Sequence, residues 1–121
     1  MADDGQPIRF GGQSLVVHLM SYSQLTDRAA PRTPSDWAGG PELNAVLWRH
    51  LDRSFTYLRH LDEYGRTIFN GLQMVDVLPE LERLASTAGT DGESRVMKRV
   101  LDLARRCIDE QPHVFLVFVG D

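Results

Sequence analysis

Two continuous apolar segments near the ends of the chain constrain its fold more than any other feature. The first covers residues 15–20, where His18 is the only polar residue, and the second is Val114–Val119. Neither alternates as a strand with one face in water does, so each is predicted to be a strand covered on both faces. Because a lone buried strand leaves its backbone groups unpaired, we expect the two to be adjacent and parallel, with helices packed on their sheet.

The residues around the first apolar segment predict turns and loops. Short extended runs flank Gly11 and Gly12, and paired glycines supply the positive φ of a two-residue hairpin. Residues 1–6 are expected to form a loose N-terminus. Residues 21–40 show neither helical nor strand periodicity, which predicts a long loop with Trp37 as a candidate anchor. Loops longer than about 15 residues are uncommon in compact domains and are often functional.

Helical periodicity predicts a first helix over residues 41–64. Pro41 suits a first helical turn, and Gly65 suits a C-terminal stop. His50 and Ser54 are polar exceptions within its apolar arc. The apolar members of that arc are Leu43, Val46, Leu47, Trp48, Leu51, Phe55, Leu58 and Leu61.

Two further helices are predicted before the last strand. One begins near Asp76 as N-cap with Pro79 in its first turn, and the short segment 67–69 before it stays unassigned. The other covers about residues 93–110 and separates its apolar and charged sides.

The 121 residues are enough for one domain with its own core. We therefore predict a single α/β or α+β domain over 1–121. Three main helices pack on a small sheet in which the N-terminal strand or hairpin lies beside the buried C-terminal strand.

Charge and composition limit the classes of partner. The formal net charge is −4, which gives no global attraction to nucleic acid or anionic lipid. The longest apolar run, Val114–Val119, is far shorter than the roughly 20 residues of a membrane span. An acidic start without a signal-peptide pattern and a single cysteine indicate a reducing, cytoplasmic location. Twelve arginines against one lysine suggest a bacterial genome.

Catalytic signatures are missing from the sequence. No glycine loop has the phosphate-binding pattern, and no Gly-x-Ser-x-Gly elbow is present. The four histidines do not form a helical metal pair, although His18 and His113 could meet if their strands are neighbours. Cys107 lies within an apolar helical arc, where a thiol is structural and reacts slowly. We predict no catalytic residue, metal or cofactor, and the sequence favours a non-enzymatic role.

The sharpest surface feature is a basic face on the third predicted helix. Five basic residues lie between positions 95 and 106, and Arg95, Arg99 and Arg106 align within about 40° of each other. Together with Trp37 they are the predicted binding residues, because arginine forks suit carboxylate-rich partners. A solvated amphipathic face is the alternative interpretation. Overall acidity and the interleaved Asp102 disfavour nucleic acid.

The second half of the chain contains a distinctive set of residues, namely the segment 62–70, Gln73, Glu80, Leu81, Cys107, His113 and the closing residues 118–121. In these residues the chain resembles a family of small uncharacterised bacterial proteins, and the resemblance implies a shared α/β fold.

The sequence supports two classes of function. The leading hypothesis is a non-enzymatic protein-interaction module, immunity-like or antitoxin-like, that binds a protein partner; a homodimer stays open. The alternative is a small-molecule-binding protein or small enzyme, with its site where the carboxyl ends of parallel strands meet.

Overall fold

A computed structural model describes residues 15–26, 36–62 and 64–120, and these form an α+β fold. The strands are β1 (Val16–Ser21), β2 (Trp37–Gly39), β3 (Arg66–Asn70) and β4 (Val114–Val119). The helices are α1 (Tyr22–Thr26), α2 (Pro41–His50), α3 (Gly71–Ala85) and α4 (Asp91–Asp109), with a 3₁₀ turn over Leu58–His60. The strands make one sheet in the order β2-β1-β4-β3. The predicted hairpin around Gly11 and the N-terminus 1–6 lie outside the described residues.

The two apolar strands are neighbours at the centre of the sheet, as predicted, but they run antiparallel. Val17 lies opposite Phe118, and Leu19 lies opposite Leu116. The predicted parallel orientation is wrong, because the connection after α4, residues 110–113, returns the chain to the sheet at Val114, opposite Ser21 at the carboxyl end of β1.

The sheet presents two different faces, because successive side chains point to opposite sides. The inner face carries Val17, Leu19, Leu116, Phe118 and Phe69, all buried against the helices. Helix α3 contacts β3 and β4, whereas α4 contacts β1, β2 and β4. Each long helix therefore covers its own half of the sheet.

The outer face differs in exposure from one strand to the next. His18 of β1 and Val117 of β4 are buried, whereas Ile68 of the edge strand β3 is 44 % exposed. The second strand beside β1 is the short β2, in which Trp37 pairs with His18. Gly39 closes β2 at φ +152°, where a Cβ atom would lie 2.6 Å from the carbonyl oxygen of Leu15. Only glycine fits this approach.

The first helix is shorter than predicted, because α2 ends at His50. The Asp52 carboxylate accepts from the backbone N–H of Ser54 at 2.8 Å, a local bond that competes with helix continuation. Further along, Glu80 of α3 accepts from the backbone N–H groups of Tyr57 and Leu58. Most of the predicted arc is nevertheless buried, namely Leu43, Val46, Leu47, Leu51, Phe55, Leu58 and Leu61, whereas Trp48 is 39 % exposed.

The second helix begins earlier than predicted, and Asp76 is not its N-cap. The N-cap is Asn70, whose side chain accepts from the Gln73 N–H while the Gln73 side chain accepts from the Asn70 N–H. This capping box fixes the start of the helix directly after β3. The strand β3 contains residues 67–69, to which the sequence assigns no element. Pro79 consequently lies inside α3.

The remaining three predictions have different outcomes. The third helix agrees with its prediction within two residues at each end, and Val114–Val119 is a central strand as expected. The prediction of a long loop over residues 21–40 is wrong in part, because α1 and β2 lie within this segment. Residues 27–35 of that segment lie outside the described residues.

Candidate functional site

Helix α4 has one buried face and one charged face. Its N-cap is Thr90, whose side chain accepts from the backbone N–H of Glu93 at 3.1 Å. Its buried face comprises Val96, Met97, Val100, Leu103, Ala104 and Cys107. The opposite face carries Arg95, Arg99, Asp102 and Arg106, which lie within about 60° of arc at 100° per residue. We call these four residues the arginine stripe.

Arg99 connects the arginine stripe to the edge strand β2. Its Nη2 donates a hydrogen bond to the backbone carbonyl of Trp37 at 2.7 Å. Its guanidinium carbon lies 5.8 Å from the centre of the Trp37 ring, within the range of cation–π attraction. The Trp37 side chain is half-buried, so a partner can still reach it.

Arg106 holds the residue just before β2. Its Nη2 lies 3.1 Å from Oδ1 of Asp36, and its Nε donates to Oε2 of Glu110 at 3.4 Å. Sequence reasoning missed Asp36, because a single acidic residue in a segment without periodicity gives no signal of its partner. The structure thus brings together three of the four predicted binding residues, Trp37, Arg99 and Arg106. We call these three, with Asp36, the Trp37 cluster.

Arg95 is the fourth predicted binding residue, and it lies one helical turn from Arg99. It is exposed and makes no hydrogen bond or ion pair with any other described residue. Arg99 and Arg106 lie on the face opposite the apolar one, as the sequence predicts, and both also bond to the β2 edge. Among the three predicted binding arginines, Arg95 alone is bonded to no other described residue.

Comparison with known proteins does not extend this picture. No protein-family model, curated protein or solved structure matches the chain. The resemblance of its second half to a bacterial family stays an expectation, and function is argued from geometry.

Other groups that could carry chemistry are either buried or far apart. Cys107 is fully buried, which raises the pKa of its thiol to about 11. His18 lies opposite Val117 in the sheet, and His113 precedes β4 by one residue. Four residues of strand, about 13 Å, therefore separate the positions of the two histidines. Across the described ranges, no three His, Cys, Asp or Glu side chains form a group that could hold a metal ion.

Two carboxylates outside the arginine stripe hold helices together. Glu93 accepts from both terminal nitrogens of Arg49 on α2 and from the backbone N–H of Gly89 at 2.9 Å. Hydrogen bonds from Arg49 and then Gly89 lower the pKa of Glu93 to about 2. Glu80 similarly holds the segment after α2 on α3. These residues act in folding, and His50 beside Glu93 is half-buried.

The alternative site expected at the carboxyl ends of parallel strands loses its geometric basis. The carboxyl ends of two antiparallel neighbours lie at opposite ends of the strands. The carboxyl ends of β1 and β4 therefore do not meet, and they cannot form one site together. No described helix is long and apolar enough to cross a membrane.

Proposed function

We propose that this protein is a non-enzymatic interaction module that binds an acidic surface of a protein partner through Arg95, Arg99 and Trp37. More specifically, we propose a role of the immunity or antitoxin type, in which a small protein binds one partner. The observation that carries it is the fixed position of Arg99, bonded to the Trp37 carbonyl beside the indole ring.

The composition of this surface supports protein binding. Trp and Arg are the residue types most enriched among side chains that dominate interface energies. Ordering a flexible side chain at an interface costs about 0.5–1.5 kcal/mol, and the contacts of Arg99 and Arg106 have already restricted theirs. An arginine and a half-buried tryptophan are thus presented together at small entropic cost.

The charges along the arginine stripe indicate an acidic partner. Asp36 and Glu110 neutralise Arg106, and Arg105 lies 3.7 Å from Asp102. The bond from Arg99 to the Trp37 carbonyl does not cancel its charge, so the positive charge of this surface lies at Arg99 together with Arg95 and Lys98, each about one helical turn or less away. So compact a positive site suits a carboxylate cluster on a protein better than the extended phosphate track of nucleic acid.

The test compares two charge reversals in affinity capture from the cells that make this protein, followed by quantitative mass spectrometry. Arg95→Glu removes the proposed contact without breaking an internal bond, and Arg59→Glu is the matched control on an exposed arginine away from α4. We expect one captured protein to fall at least about tenfold with Arg95→Glu and to remain with Arg59→Glu, which corresponds to about 1.4 kcal/mol.

The same protein, once purified, should bind less tightly as salt concentration rises. The proposal is wrong if every captured protein is retained equally by the two variants.

A further inference from the structure

Asp36 is the residue directly before β2, and its carboxylate meets Arg106 near the end of α4. Oδ1 of Asp36 lies 3.1 Å from Nη2 of Arg106, and Oε2 of Glu110 accepts from Nε of the same guanidinium at 3.4 Å. The side chains of Asp36 and Arg106 are 33 % and 41 % exposed. Two carboxylates thus accompany Arg106 at the surface, and an anion that approaches this arginine meets both of them.

The neighbouring arginine at this end of α4 is neutralised in the same way. Arg105 lies 3.5 Å from Oε2 of Glu82 on α3 and 3.7 Å from Oδ1 of Asp102 on its own helix. The last two turns of α4 therefore present arginines that are each matched by carboxylates.

The first turns of the same exposed face are positive instead. Arg95 and Lys98 are exposed and form no ion pair with another described residue. Arg99 donates to the carbonyl of Trp37, which is a neutral acceptor and leaves the positive charge in place. The charge on the exposed face of α4 consequently changes between Arg99 and the end of the helix.

The length of the positive region decides which kind of anion it suits. Arg95 and Arg99 are one turn apart, about 6 Å along the helix axis, whereas Arg95 and Arg106 are about 16 Å apart. Duplex DNA carries a phosphate about every 3.4 Å of axis on each strand, so a face that was positive over the longer distance would meet several phosphates. A face that is positive over one turn suits a few carboxylates on a protein. Neutralising Arg106 shortens the positive region to this second length.

We infer that Asp36 is a specificity-determining residue of the arginine stripe, whose carboxylate offsets the charge of Arg106 and so disfavours nucleic acid relative to an acidic protein surface. The inference rests on the proposed function, because the surface that Asp36 shortens is the one proposed to bind the partner. Specificity commonly depends on such unfavourable interactions with the wrong partner.

The place of Asp36 in the fold distinguishes it from Glu110. Glu110 follows α4 as its C-cap and contacts Arg106 from four positions along the same chain segment. Asp36 is closer to Arg106 and comes from the segment that leads into Trp37. One contact therefore both holds the start of the Trp37 strand and shortens the positive region beside it.

Binding of the full chain to a short DNA duplex of mixed sequence, followed by fluorescence anisotropy, tests this inference. Asp36→Asn returns Arg106 to the positive region and should add about one phosphate contact. The slope of the logarithm of the binding constant against the logarithm of salt concentration should then be steeper by about 0.9. Lowering the salt from about 200 to about 50 mM should therefore tighten binding about threefold more for Asp36→Asn than for wild type.

Three further variants separate this role from other effects. Asp36→Glu keeps the carboxylate and should match wild type. Asp76→Asn changes the net charge equally but lies on α3, where its carboxylate accepts from the Tyr57 hydroxyl, so it should also match wild type. Asp36→Asn combined with Arg106→Gln should lose the gain. A change that merely loosened β2 would keep its gain in this double variant, because the same ion pair is broken.

Equal salt dependence of Asp36→Asn and wild type would overturn the inference, as would undetectable binding of both at about 50 mM salt. So would a gain that Asp76→Asn reproduces or that survives Arg106→Gln. These outcomes do not involve the partner. They are thus distinguishable from a failure of the proposed function, which appears as equal capture by Arg95→Glu and Arg59→Glu.

Discussion

Arg99 donates a hydrogen bond to the backbone carbonyl of Trp37, and its guanidinium lies beside the indole ring of the same residue. A side chain on the exposed face of α4 thus secures an edge strand of only three residues. The arginine stripe consequently serves the fold at Arg99 and Arg106, and it is open to a partner at Arg95.

Arg99→Ala should loosen β2. The variant loses a charge-assisted bond, and we expect the free energy of unfolding to fall by about 1 kcal/mol. Amide hydrogen exchange over Trp37–Gly39 should accelerate more than exchange in β4. Lys98→Ala, on the neighbouring exposed position, serves as the control and should change neither quantity. Unchanged exchange in β2 would show that Arg99 does not hold the strand.

Glu93 should make stability depend on pH in acid. Its pKa is lowered to about 2 in the folded protein, chiefly by Arg49, so its contribution is present above the ordinary value near 4.5. That contribution is lost as the pH falls from about 5 through about 2. Glu93→Gln should lower the free energy of unfolding at pH 7 by about 2 kcal/mol. The difference from wild type in urea titrations should shrink towards pH 2; a constant difference would contradict this assignment.

Replacing Glu80 and replacing Glu82 should lower the free energy of unfolding by very different amounts, although both are glutamates of α3. Glu80 accepts from two backbone N–H groups in the segment after α2, and Glu80→Ala leaves these donors without their acceptor. We expect it to cost about 2 kcal/mol of unfolding free energy. Glu82 makes an exposed ion pair with Arg105 at 3.5 Å, so Glu82→Ala should cost no more than about 0.5 kcal/mol. Thermal and urea unfolding measure both, and equal losses would refute the distinction.

Cys107 should react slowly with thiol reagents in the native protein. Burial raises the pKa of its thiol to about 11, so little thiolate is present at pH 8. From the thiolate fraction alone, labelling should be about a hundredfold slower than in urea. Equal rates in the folded and unfolded chain would mean that the thiol is accessible.

The sheet centre and α4 could be predicted from sequence because their signals are local and strong. Six apolar residues in a row at Val114–Val119 have no other stable location than a sheet interior. The apolar and charged residues of α4 likewise lie on opposite faces, so only the apolar face can pack against the core. Strand direction is different, because it depends on how α4 crosses the sheet, which no residue of either strand encodes.

The errors occurred where a side chain from elsewhere overrides local periodicity. Glu80 captures the backbone of Tyr57 and Leu58, so the apolar spacing that predicts a continued helix is satisfied by turns instead. The alignment of the arginines on α4 is the basis for predicting them as binding residues. Their internal partners, Asp36 and the Trp37 carbonyl, lie more than 60 positions earlier and could not be foreseen.

Photo-cross-linking from Lys98 tests the proposed protein-binding surface most directly. Lys98 is exposed one turn from Arg95, and Arg59 provides a reference position on another surface. With a photoreactive amino acid at position 98, irradiated cells should yield one discrete protein adduct, and the added change Arg95→Glu should abolish it. The same amino acid at position 59 should give none. If position 98 gives no adduct, or one that survives Arg95→Glu, the arginine stripe is not the surface through which this protein binds a partner.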